Sequence, residues 1–233
     1  MKNILLSGVK NFRYERKIFI EGQTIKTVEM LLKSHPAIFS EIYCERRVNS
    51  LYFDTLNFQN YFDNMDGVSK RLKVRVRWYG NLFGAVEKPN LELKFKHNLH
   101  VGKLMYPIEA FVLKDGFSTS IVREAFRRSS LSKMLEDYLM GLQASLMISY
   151  TRRYFLSFDR KYRVTLDTEM EAYKLTPQRN TFLCKTEKDT RNVIMEIKYN
   201  CLHDDLVGSI TNYFPFRTTK SSKYVSGIEV LYA

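Results

Sequence analysis

Residues Arg71 to Tyr79 read RLKVRVRWY, a strict alternation of charged and apolar side chains. Side chains alternate between faces along a strand, so Lys73, Arg75 and Arg77 share one face and Leu72, Val74, Val76 and Trp78 the other. The pattern recurs. Glu92, Lys94 and Lys96 oppose Leu91, Leu93 and Phe95, while Arg13, Glu15 and Lys17 oppose Tyr14, Arg16 and Ile18. Glu196 and Lys198 oppose Met195, Ile197 and Tyr199; Tyr150, Arg152 and Tyr154 form another set, as do Arg163, Thr165 and Asp167. A half-buried antiparallel strand alternates in this way with its charges in water. Like charges two residues apart nevertheless lie only about 6.6 Å from one another along a strand, and they repel unless an anion sits between them. A sheet closed with its charged face inward accounts for the repetition. Its lumen is positive, and helices cover its apolar outside.

The 233-residue chain carries a formal net charge of +12, which favours an anionic partner. Hydrophobic residues make up 45% of it, enough for a folded core. Neither a linker nor a repeat divides it, so residues 1–233 are read as one domain. Cys44, Cys184 and Cys201 form no CxxC pair, and His35, His97, His100 and His203 have no ligand spacing. Three scattered cysteines suit a reducing cytoplasm. The apolar run in Met1 to Lys10 is too short for a signal peptide, and no stretch approaches a membrane span.

Strands are expected over Arg13–Ile20, Val48–Phe53, Arg71–Tyr79, Asn90–His97, Lys103–Phe111 (paired with the preceding strand), Leu146–Phe158, Arg163–Asp167 and Val193–Asn200. Helices are expected over Thr24–Ser34, in two pieces between Ser118 and Gly141, and over His203–Asn212; Ser222–Tyr232 reads as a last helix in preference to a strand. Asp54–Gly67 reads as turns. The fold class is α+β with an antiparallel sheet.

RYERK (Arg13–Lys17), NSLYFDT (Asn49–Thr55), KRLKVRVRWYG (Lys70–Gly80), LELK (Leu91–Lys94), YTRRYF (Tyr150–Phe155), RVTLD (Arg163–Asp167), MEIKY (Met195–Tyr199) and SSKYVSGIEVL (Ser221–Leu231) occur in that order. In these pieces the chain resembles the VTC domain, the polyphosphate polymerase branch of the triphosphate tunnel (CYTH-like) superfamily. The resemblance implies a closed eight-stranded antiparallel β-tunnel with flanking helices. It implies transfer of the ATP γ-phosphate onto a growing polyphosphate chain, with Mn²⁺ or Mg²⁺. Lys17, Arg75, Arg77, Lys94, Arg152, Arg163, Lys198 and Lys223 match phosphate-gripping positions. Ser222 sits beside Lys223, and Lys73 and Lys96 share the same strand faces, toward a tunnel mouth. Glu196 matches the metal carboxylate, with Glu15 the weaker candidate. Lys17, Arg75, Arg77 and Glu196 are the implied catalytic set.

One position departs from the wider superfamily. Its first strand opens Glu-x-Glu-x-Lys, and here Arg13 replaces the first Glu. That favours the polymerase branch over a tunnel triphosphatase or polyphosphate hydrolase, which would use the same lumen. A non-catalytic polyanion-binding module is a further reading, as is a degenerate member with a role in assembly. Nucleic acid is not the expected partner, because the basic residues alternate within strands and form no exposed basic loop.

Overall fold

The computed structural model describes residues 13–97, 100–114, 118–176, 181–219 and 221–232. The N-terminal decapeptide and the side chains of Arg13, His97, His100 and Cys184 lie outside the described residues, so the expectations on them are not addressed. Among the described residues eleven strands are present: β1 Arg13–Ile20, β2 Ser40–Asp54, β3 Lys70–Tyr79, β4 Gly84–Val86, β5 Asn90–His97, β6 His100–Pro107, β7 Phe111–Leu113, β8 Gln143–Leu156, β9 Tyr162–Thr176, β10 Thr181–Asp189 and β11 Val193–Asn200. Six helices accompany them: α1 Ile25–Lys33, α2 Gln59–Met65, α3 Thr119–Arg128, α4 Lys133–Met140, α5 Val207–Thr211 and α6 Lys223–Tyr232.

Nine strands form one antiparallel sheet in the order β1-β11-β9-β8-β2-β3-β5-β6, with β10 also paired to β9. The expected closed eight-stranded tunnel is therefore corrected. Among the described residues β1 and β6 do not hydrogen-bond to each other, and both remain edges. The sheet is nonetheless strongly rolled. Six interstrand steps separate β1 from β5, roughly 29 Å if the sheet were flat. Lys94 Nζ on β5 instead lies 3.4 Å from Glu15 Oε2 on β1. Strand twist gives the roll its hand. Gly102 tightens the β5–β6 end, because a Cβ there would stand 2.1 Å from the Phe95 ring.

The apolar alternates build the outside. Leu72, Val74, Val76 and Trp78 of β3 join Leu91 and Leu93 of β5 beneath Val122, Ala125 and Phe126 of α3 and Leu135 and Leu139 of α4. On the other flank Ile18, Val164, Leu166, Met195 and Ile197 pack against Val28 and Leu32 of α1 and Val207 and Ile210 of α5. Each such side chain contributes about 1.5–3 kcal/mol when fully buried. Local signals set the helix limits. The Thr24 hydroxyl caps α1 by accepting from Thr27 N at 3.2 Å, and the chain turns extended at Ser129 to separate α3 from α4.

The inside of the roll is polar only in part. Val48, Tyr52, Leu146, Ile148 and Tyr150 lie on the same face as Arg75 and Arg77, and they pack against Tyr224, Ile228 and Leu231 of α6. α6 therefore lies against the inner face at one end. Gly227 permits the approach, since a Cβ there would stand 2.7 Å from Leu146 Cδ2. No described helix is long and apolar enough to cross a membrane.

Candidate functional site: a basic cage inside the rolled sheet

Strand alternation and roll together bring the inward charges into one cage. Lys73, Arg75 and Arg77 come from β3, Glu92 and Lys94 from β5, Lys103 from β6, and Arg152 from β8. Asp167 comes from β9, Glu196 and Lys198 from β11, Glu15 and Lys17 from β1, and Lys223 from the start of α6.

Two carboxylates organise most of the arginines. Glu92 is 2% exposed and accepts from Arg75 Nε (2.7 Å), Arg75 Nη2 (2.6 Å) and Lys103 Nζ (2.7 Å), with Arg77 Nη1 at 3.7 Å. Burial alone would raise its pKa, but Arg75, Arg77 and Lys103 outweigh burial and lower it to about 2. Asp167 takes a two-point contact from Arg152, Nε at 2.5 Å and Nη2 at 2.6 Å, and a third from Lys223 Nζ at 2.5 Å. This planar fork fixes the arginine's orientation as well as its charge.

Glu196 and Glu15 form the other acidic pair, and lysines bridge them. Lys17 Nζ lies 3.4 Å from Glu196 and 3.1 Å from Glu15; Lys198 Nζ lies 2.9 Å from Glu196 and 3.9 Å from Glu15. Burial and the mutual repulsion of the two carboxylates raise the Glu15 pKa, yet Lys94, Lys17 and Lys198 bring it down to about 2. Glu196 is likewise held well below the usual range: Lys198, Arg152, Lys223 and Lys17 override its burial.

Lys73 is different. It stands directly opposite Lys94 in the β3–β5 register and has no carboxylate partner among the described residues; its ammonium donates to Ser222 Oγ at 2.7 Å. Burial, then Lys17 and Lys94, lower its pKa to about 7. Burial likewise lowers Lys94 and Lys103. In all, nine cationic side chains face four carboxylates in the cage among the described residues. Arg77 Nε, Ser50 Oγ and Thr165 Oγ1 are buried on this face without a protein partner. Such a surface is built to receive an anion with many oxygens.

Two tyrosines complete the walls. Tyr150 OH accepts from Arg77 Nη2 at 3.1 Å, and Arg152 and Lys223 lie 5.2 and 4.8 Å from the centroid of its ring. Burial raises its pKa, but Arg152, Arg77 and Lys223 outweigh burial and lower it. Tyr52 OH accepts from Arg75 Nη1 at 3.1 Å.

The structure gathers Lys17, Lys73, Arg75, Arg77, Lys94, Arg152, Lys198, Ser222 and Lys223, with Glu15 and Glu196, into this cage. Lys73, expected toward a mouth, lies well inside it. Arg163 and Lys96 stand at its margins. Arg163 is exposed opposite Lys198, Lys96 is paired in register with Arg71 near the start of β3, and neither joins the ion network among the described residues. Sequence reasoning missed Lys103 and Tyr52, and it placed Asp167 and Tyr150 on alternating strand faces without giving either a role in the site. Lys103 sits in a strand with no charge alternation; the only signal for it was the β5–β6 pairing, which places it opposite Lys94.

No group of three or more His, Cys, Asp and Glu side chains is placed to hold a metal among the described residues. Glu196 and Glu15 supply two carboxylates near one another. That suits a hard divalent cation that takes its remaining ligands from phosphate oxygens and water.

The rolled antiparallel sheet has a counterpart among solved structures. A putative adenylate cyclase from Vibrio parahaemolyticus superposes with a TM-score of 0.53 over 97% of this chain and 100% of its own, at 11% sequence identity. At that identity the likeness concerns the fold. The VTC domain model matches residues 12–232, and the chain belongs to the VTC domain family. It is also 26% identical over 155 residues to Vacuolar transporter chaperone complex subunit 2 of Saccharomyces cerevisiae, which covers 54% of this chain and 18% of that protein.

Proposed function

We propose that this chain is an ATP-dependent polyphosphate polymerase, moving the γ-phosphate of ATP onto a growing polyphosphate chain inside the cage. The observation that carries this reading is the excess of nine cations over four carboxylates on the inner face of a rolled sheet in a VTC domain.

Phosphoryl transfer depends on positioning and charge neutralisation more than on covalent chemistry by the protein. Arg75, Arg77 and Arg152 are held by Glu92 and Asp167 with their remaining N–H groups available to phosphate oxygens. Lys17, Lys94 and Lys198 exchange carboxylate contacts for phosphate contacts. Lys73, with Ser222, meets a phosphate that holds it protonated. A bound Mn²⁺ or Mg²⁺, held by Glu196 and Glu15, would neutralise phosphate oxygens there. A terminal phosphate oxygen of the acceptor forms the new bond to the γ-phosphorus. The bond from that phosphorus to the β-bridging oxygen breaks, and ADP leaves.

The carboxylates bear on the choice of acceptor. Arg13 stands where the wider superfamily opens its first strand with a Glu, so one carboxylate that could serve hydrolysis is missing. An ionised terminal phosphate needs no base. This favours the polymerase over the hydrolase. The inward placement of the basic residues also argues against nucleic acid as the partner. Incubation with γ-labelled ATP and Mn²⁺ or Mg²⁺, with products resolved by length, tests the proposal. A label-bearing ladder of polyphosphate with stoichiometric ADP is expected; label only in free phosphate would overturn it.

A further inference from the structure

At the end of the inner face remote from α6 stands a cation that the cage does not use. β2 reaches α6 at Tyr52 and Asp54, and its other half extends beyond the cage as residues 40–47. There Arg46 is paired in register with Arg152 of β8 and so shares the cage face. A register irregularity between Tyr43 and Arg46 puts Tyr43, which pairs with Tyr154, on that face too. Bulges of this kind re-aim side chains next to functional sites.

Three rings surround the Arg46 guanidinium: Tyr43 at 4.9 Å, Tyr154 at 5.6 Å and Tyr79 at 5.8 Å from carbon to centroid. Tyr43 and Tyr79 are themselves about half exposed, at 47% and 50%. No carboxylate pairs with Arg46 among the described residues. Of the two nearby acids on the same strand, Glu41 is taken by Arg153 at 2.6 Å, and Glu45 makes no ion pair with Arg46 among the described residues. Arg152, its like-charged neighbour, is already held by Asp167 and Glu196. Two arginines directly opposite one another repel. Aromatic faces can hold a guanidinium by its plane while its in-plane N–H donors stay free.

We propose that Arg46, fixed by Tyr43, Tyr79 and Tyr154, is an outer phosphate subsite that grips a linear polyphosphate where it emerges from the cage. This rests on the polymerase reading and deepens it, because an outer grip matters only for a chain longer than the cage. A triphosphate occupies the cage alone; a longer polymer reaches Arg46.

The test compares tripolyphosphate and long-chain polyphosphate on the wild-type protein and on Arg46→Gln and Arg46→Lys variants, by calorimetry at several salt concentrations. For Arg46→Gln, tripolyphosphate affinity should stay within twofold of wild type. Long-chain affinity should fall about tenfold, and its log–log salt slope should become shallower by about one. Arg46→Lys keeps the charge and should recover most of the loss. Equal loss for both ligands, or no loss for the long chain, would overturn the subsite, as would a single-stranded oligonucleotide that competes as well as polyphosphate does. If Arg46→Gln does not fold, Tyr79→Leu serves, and it should weaken only the long chain. If the wild-type protein binds neither polyanion, the polymerase reading fails, and this inference with it.

Discussion

Lys73 is an electrostatic liability inside the cage. Its folded pKa of about 7 lies below the usual lysine value of 10.5, so the unfolded chain binds that proton more tightly. Its penalty to the fold is complete below pH 7 and fades as pH rises from 7 toward 10.5. Lys73→Met should therefore stabilise the ligand-free protein at pH 6, raising its denaturant midpoint. A polyphosphate favours the charged form. Wild-type protein at pH 8 should take up nearly one more proton on binding than Lys73→Met does, measured by calorimetry in buffers of different ionisation enthalpy. Equal uptake would contradict this role for Lys73. Glu92 works in the opposite sense. Its lowered pKa, about 2, contributes stability above pH 4.5 that is lost as pH falls toward 2. Glu92→Gln leaves Arg75, Arg77 and Lys103 without their counter-charge and should cost about 3 kcal/mol at pH 7, read from denaturant unfolding.

At the level of elements, Asp54 ties two helices to the sheet. It is fully buried and accepts from the backbone N–H groups of Thr55 (2.7 Å), Asn60 (2.8 Å) and Tyr61 (2.9 Å) and from the Tyr224 hydroxyl. It thus anchors the start of α2 and positions α6, which carries Ser222 and Lys223 to the cage. Asp54→Ala should lower stability by about 2–3 kcal/mol and weaken tripolyphosphate binding; calorimetric melting and a binding titration check both. This tie was illegible in sequence because a carboxylate six residues away caps a short helix, and Asp54–Gly67 read as turns. The length of β2 was hidden for a related reason. Residues 40–47 are mostly exposed on both faces, so they carry no alternation, and only Val48–Phe53 stood out. β10 escaped because it pairs only with the far half of β9. By contrast, the alternating strands β1, β3, β5 and β11 were legible to within a residue, because one face of each is buried beneath helices. The same alternation exposed most of the cage. Lys103 required the pairing of strands, which side-chain period does not supply, and so did the contact of Asp167 with Arg152.

For the molecule as a whole, curvature turns a set of alternating strands into a site. On a flat sheet Lys94 and Glu15 would stand strands apart; the roll makes them neighbours without closing the ladder. Like charges gathered this way oppose folding, and a bound polyanion relieves them. Tripolyphosphate at about one hundred times its dissociation constant should stabilise the protein by about 2.7 kcal/mol, raising the melting midpoint by roughly 5–10 °C. At a fixed tripolyphosphate concentration the shift should shrink as salt rises. The most direct test of the central claim is a crystal structure with tripolyphosphate and Mn²⁺. The claim predicts the phosphate chain inside the roll, with its oxygens on Lys73, Arg75, Arg77, Arg152 and Lys223 and the metal at Glu196. Phosphates bound on the outer surface, with the cage ion pairs unchanged, would contradict it.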